Sequence, residues 1–68
     1  MATKPTHHYD LHGHLLYEGD LVEAGYKKGR IYWDGIRKQW MIDFDRDRIA
    51  SLNLYPSRQL ILIAHVHD

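Results

Sequence analysis

The chain has 68 residues, no cysteine, and nine acidic side chains against nine basic ones. That length holds one domain and excludes a second; the lack of thiols excludes disulfides and thiolate-bound metals; the charge balance excludes a global pull toward nucleic acid or acidic membrane. A domain this small buries only about 60% of its unfolded surface, so homo-oligomerisation is an expected added support.

Residues 1–9 are polar, carry Pro5 and the pair His7-His8, and read as a flexible N-terminal arm. Residues 10–68 read as a single domain. Its opening, DLHGHLLYEG over 10–19, predicts a turn at His12-Gly13, a short strand or bend through Leu15, Leu16 and Tyr17, and a turn at Gly19-Asp20. In the strand that follows, Val22 and Ala24 point inward while Leu21 and Glu23 point outward. Residues 25–29, GYKKG, predict a loop. From Arg30 to Asp34, Ile31 and Trp33 share the inner face and Arg30 and Tyr32 the outer one.

Asp34-Gly35 is the strongest turn signal in the chain. The return strand over roughly residues 39–44 puts Trp40, Ile42 and Phe44 inward and Met41 and Asp43 outward. DRDR, residues 45–48, predicts a solvated turn, and residues 49–54 a short strand with Leu52 and Leu54 in phase. Tyr55-Pro56-Ser57 ends that strand, with a 3₁₀ turn across residues 55–59. Residues 60–66 are the last strand, and their unbroken apolar run predicts cover on both faces. The sum is an all-β fold: a small SH3-like antiparallel barrel of about five strands with a short 3₁₀ turn before the last.

The longest apolar run, LILIA at residues 60–64, falls far short of the roughly 20 residues of a membrane span. MATKPTHHYD lacks the apolar centre of a signal peptide. The cytoplasm is the expected location, and a membrane is not an expected partner.

YEGDLV, residues 17–22, resembles the Y-E-G-D-I-V start of the YopX-like small proteins of phages and prophages. Asp10-Leu11-His12-Gly13 resembles the D-x-x-G turn that precedes that motif, and GRIYWDG, residues 29–35, is similar to the G-x-V-x-[FW]-x-D/G segment that follows it. The closing LILIAHVHD, residues 60–68, fits the family's L-E-V-I-G-N-I-H-D frame, with Ala64 for its glycine and His65 for its asparagine. The resemblance implies a β-rich fold and a mobile-element origin, and no activity. LNLYP, residues 52–56, is also similar to the V-Q-I-Y-P active-site strand of the plasmid- and integron-borne type II dihydrofolate reductases. Tyr55 and Pro56 match, Asn53 stands for the glutamine and Leu54 for the isoleucine. The lysine that follows G-D-x-V in that family is replaced by Glu23-Ala24. This second resemblance implies NADPH binding.

Catalysis finds little footing in the residues. There is no cysteine nucleophile and no serine elbow, and GYKKG is too short to cradle a phosphate. A non-enzyme is expected, with no catalytic residue, cofactor or metal. His12-Gly13-His14 and His65-Val66-His67 could each send two imidazoles to one side of a strand, but two ligands do not close a site. Solvated histidines are the plainer expectation. Asp43-x-Asp45-x-Asp47 opens like a calcium loop, yet its sixth and twelfth positions are Arg48 and Leu54, so a salt-bridged turn is expected.

The remaining candidate is a basic aromatic stretch. Residues 26–40 carry Lys27, Lys28, Arg30, Arg37 and Lys38 against Asp34 alone, five cations and one anion for a net of +4, with Tyr26 and Tyr32 among them. Such a surface suits an acidic protein, with Tyr and Arg as anchors. It also suits nucleic-acid backbones and bases. A plain solvated hairpin is the bland alternative. The neutrality of the whole chain favours a protein partner. The expected function is a non-enzymatic interaction module of a phage or mobile element, docking a host or phage protein through Tyr26, Lys27, Lys28, Arg30, Tyr32, Arg37 and Lys38. A nucleic-acid-binding barrel and a reductase-like enzyme stand as alternatives.

Overall fold

The computed structural model describes residues 4–45 and 48–65. Its strands are β1 (Pro5–Tyr9), β2 (Leu15–Tyr17), β3 (Leu21–Ala24), β4 (Lys27–Asp34), β5 (Gln39–Asp45), β6 (Arg48–Ser51) and β7 (Leu60–Ala64), with 3₁₀ turns at Leu52–Leu54 and Ser57–Gln59. Every pairing is antiparallel. β1 and β2 form a two-stranded sheet, and the rest a five-stranded sheet in the order β6-β5-β4-β3-β7.

The fold is all-β, as its alternating apolar pattern predicts. The sheet does not close, however. β6 and β7 are its two edges, and the N-terminal hairpin pairs within itself instead of bridging them.

Alternation along the strands builds the core. Val22 and Ala24 of β3, Ile31 of β4, Ile42 of β5 and Leu60 of β7 point to one face, where Leu16 of β2 and Leu52 of the first 3₁₀ turn meet them; Trp40, Phe44, Tyr55 and Leu62 pack around this cluster. Trp33 shares that side and stands in register with Trp40, their rings 5.1 Å apart at 66°. It is nonetheless 40% exposed, because it lies next to the hairpin end, beyond the cover that Leu16 and Leu52 supply.

Four local expectations are corrected. Residues 5–9, read as part of a loose arm, are strand. Thr6 is buried there, its hydroxyl donating to the Leu16 carbonyl (2.9 Å) and accepting from the His8 N–H (3.0 Å). A shift in the β1–β2 register between Pro5 and Tyr9, with His7 at φ +64°, fits this polar segment to β2. Residues 25–29 are not a five-residue loop: Ala24 pairs with Lys27, leaving only Gly25-Tyr26 in the turn. Both sit at positive φ (+56° and +73°), as a two-residue hairpin matched to strand twist requires.

The strand expected over residues 49–54 stops at Ser51, whose hydroxyl accepts from the Asn53 N–H (3.3 Å) and caps the 3₁₀ turn. At about 120° per residue that turn cannot keep Leu52 and Leu54 in phase; Leu52 is buried and Leu54 exposed. LNLYP is therefore not an extended strand. Finally, β7 is covered on one face only. Leu60 is buried, while Ile61 and Ile63 face outward and stay partly exposed, because no second layer lies on that side among the described residues. The Arg46-Asp47 centre of the predicted DRDR turn, and Val66, lie outside the described residues.

Two turns hold the domain together through buried carboxylates. In Tyr17-Glu18-Gly19-Asp20 the Tyr17 carbonyl accepts from the Asp20 N–H (3.1 Å), with Gly19 at φ +89°. The Asp20 carboxylate then accepts from the Tyr17 N–H (2.8 Å) and meets the His65 ring nitrogen at 2.9 Å. In the Asp10–Gly13 turn one Asp10 oxygen accepts from the His12 N–H (3.0 Å) and the His14 N–H (2.7 Å). The other accepts from the Leu62 N–H of β7 (3.0 Å) and meets the His14 ring at 3.1 Å. The Leu11 N–H also donates to the Leu60 carbonyl (2.7 Å), so this turn covers part of the edge of β7.

Candidate interaction surface

β4 sorts the predicted binding residues by the period of a strand. Gly29 and Ile31 point to the core, whereas Lys28, Arg30 and Tyr32 point to the solvated face. Lys28 and Arg30 are exposed and Tyr32 is half-buried. Tyr26, at the hairpin tip, is 98% exposed. Lys27 is exposed at the start of β4 and, with Lys28, Phe44 and Arg48, lines a hollow of about 370 Å³. Tyr26, Lys27 and Lys28 thus lie at the β3–β4 hairpin end, while Arg30 and Tyr32 follow Lys28 along the same face of β4 toward the β4–β5 turn.

Arg37 and Lys38 stand apart from these. They lie in the β4–β5 turn, six residues of strand or more from Lys28, which is roughly 20 Å at about 3.3 Å per residue. Asp34 holds that turn, accepting from the Ile36 N–H (2.9 Å) and the Arg37 N–H (3.1 Å). Its second oxygen binds the Arg37 guanidinium at 2.8 Å. Backbone donation from Arg37 leads the effects that hold the Asp34 carboxyl below its ordinary range. Arg37 is thus already paired within its own turn, which spans Gly35 to Lys38 between the two strands.

Register exposes what a count of charges along the chain misses. Glu23 stands directly opposite Lys28, and Asp43 directly opposite Arg30, on the same outward face. The +4 stretch therefore folds into a face where two cations sit among two carboxylates. Both anions lie at outward positions of their own strands, but only the strand pairing puts them beside the cations. Arg48 and Phe44 were likewise outside the predicted set, since Phe44 reaches the tip through the β4–β5 pairing and Arg48 only through the further pairing of β5 with β6.

Tyr26 carries a cost. A non-glycine residue in the left-handed region loses about 1–2 kcal/mol relative to its preferred conformations. Its side chain recovers little of this, being almost wholly in solvent. Tyr26→Asn, a residue that tolerates this region, is expected to raise stability by about 0.5–1 kcal/mol, or several degrees in Tm. An unchanged or lower Tm would show that Tyr26 makes a stabilising contact at the tip.

No group of three or more His, Cys, Asp or Glu side chains able to hold a metal occurs among the described residues. His12 and His14 lie close, ring centroids 6.0 Å apart, while His67 falls outside those residues. No helix among the described residues is long and apolar enough to cross a membrane. Comparisons of the chain with protein-family models, with curated proteins and with solved structures find no match.

Proposed function

We propose that this chain is a non-enzymatic interaction module that docks a protein partner through the outward face of β3, β4 and β5 and the adjoining hairpin tip. The observation that carries this reading is the alternation along β4, which presents Lys28, Arg30 and Tyr32 side by side on a hydrogen-bonded sheet. Tyr and Arg are the side chains that most often anchor protein interfaces. A sheet fixes them before the partner arrives, which spares the ordering cost of binding. Glu23 and Asp43 among the cations favour a partner of mixed charge over a polyanion. The resemblance of residues 17–22 to phage proteins supports a mobile-element origin and a working place in the cytoplasm.

Nucleic-acid binding is the second reading. The hollow at the tip favours it, since Lys27, Lys28 and Arg48 line it together with Phe44.

One experiment separates the two. The immobilised chain is expected to retain a protein from nuclease-treated lysate of the source organism, and Arg30→Ala/Tyr32→Ala to lose it at least ten-fold while keeping its circular dichroism. Equal retention by the double variant would remove the face assignment. Retention that disappears with nuclease would transfer the function to nucleic acid.

A further inference from the structure

The docking reading leaves open which protein the face fits, and the cross-strand register answers that. Leu21 pairs with Arg30, Arg30 with Asp43, and Asp43 with Ile49. These four residues form one row across β3, β4, β5 and β6, all on the outward face. In order they are apolar, cationic, anionic and apolar. Ile49 is 44% exposed, and Leu21 is half-buried.

From this row we infer that the partner is a second copy of the chain, packed sheet against sheet. The inference rests on the outward face being the docking surface. A two-fold axis lying between the sheets, along the midline of β4 and β5, lays the row on its own reverse. Arg30 of each copy then faces Asp43 of the other, and Leu21 faces Ile49. Such self-complementarity is what an isologous interface demands. The neighbouring row adds little, because Met41, opposite Tyr32, is already buried within one chain. The sheet is open, with β6 and β7 as its edges, although Met41 on this face, read as outward from the strand period, is already buried at 4% exposure. A sheet of this kind gains most from a second sheet, which aligned packing supplies at about 10 Å.

The magnitude sets what to expect. About that axis β6, β5, β4 and β3 overlap their counterparts and β7 does not, so the shared face is four strands about 4.8 Å apart and about five residues long, or roughly 300 Å². Two such faces bury on the order of 600–900 Å² in total, the low end of weak, reversible interfaces. The dimer should therefore form and dissociate with concentration.

Sedimentation equilibrium of the full chain is the test. The wild-type mass is expected to rise from the 8.1 kDa of one chain toward twice that as concentration climbs through the micromolar range. Arg30→Glu and Asp43→Arg should each weaken association at least ten-fold, since each faces like charge when paired with itself. An equimolar mixture of the two should associate again, because every facing pair is then of opposite sign. Should either charge variant lose its β-sheet circular dichroism, Ile49→Lys on the edge strand carries the same expectation.

A wild-type chain that stays monomeric at millimolar concentration overturns the inference, as does a mixture that fails to recover. If the wild type is monomeric yet Arg30→Ala/Tyr32→Ala still loses a captured protein, the docking face stands and only the second copy falls. If the wild type dimerises and all three variants associate as it does, both assignments of this face fall.

Discussion

Asp10→Ala is expected to cost about 3 kcal/mol or more, because its carboxylate accepts from three buried or half-buried backbone N–H groups and a bond to a charged acceptor is worth about 1.5–3 kcal/mol. The whole stability of a 68-residue domain is only about 3–10 kcal/mol, so the variant loses a large share of it. At roughly 4–8 °C per kcal/mol, Tm should fall by at least about 12 °C. The loss is non-local. Asp10 joins the first turn of the domain to Leu62, 52 residues away, and without it both the turn and the edge of β7 lose a partner. A fall of under about 4 °C would mean that water or a shifted turn replaces the carboxylate.

The same group gives the chain an acid limit. Burial alone would push the Asp10 carboxyl up, but hydrogen bonds from the Leu62 and His14 N–H groups, the His14 ring and the His12 N–H together outweigh it and hold the pKa at about 2. The ordinary value is about 3.9 in an unfolded chain. The folded value is depressed, so the stabilisation is fully present above about pH 4 and is lost as pH falls toward 2. It amounts to about 2 kcal/mol. In the wild type, urea midpoints should decline steeply over that interval, and in Asp10→Ala this part of the decline should vanish. Equal declines in both proteins would assign the acid limit to other carboxylates.

Gly29→Ala carries the second large effect, a loss of about 2–3 kcal/mol from overpacking. Gly29 lies inside β4 facing the core, where an added Cβ would collide with Ile42 Cγ2 and reach 3.0 Å from both the Asp43 carbonyl oxygen and Phe44 Cδ1. The backbone oxygen cannot move without disturbing the β4–β5 ladder. Gly25, at the other end of the GYKKG stretch, is constrained differently: there is room for a Cβ, at 3.6 Å from Tyr55, and it is φ +56° that disfavours one. Alanine at Gly25 should therefore cost about 1 kcal/mol, by strain alone. Chemical denaturation of both variants would test the order, and a Gly25→Ala variant less stable than Gly29→Ala would reverse the roles given to the two glycines.

These glycines show where the sequence ceased to be sufficient. Both read as loop residues, since glycine flanking two lysines is a loop signal in one dimension. Only the partner strand reveals that one of them makes room for Ile42. The charged residues behave alike. The outward direction of Arg30 and Tyr32 was legible from the two-residue period of β4, as was the inward direction of Val22, Ile31 and Ile42; Lys28 read as loop, and only the pairing with β3 placed it on that face. The carboxylates of Glu23 and Asp43 were legible as outward too, but not as neighbours of those cations.

Period and turn chemistry, which are local, thus determined the all-β class, the strand faces and most of the core. Strand pairing decided the rest, because register is set between segments far apart in the chain. It left the sheet open, drew residues 5–9 into a strand, parted Arg37 and Lys38 from the other cations, and converted a basic stretch into a face of balanced charge. It also joined Asp10 to Leu62, a contact between two segments that carry no mark of each other.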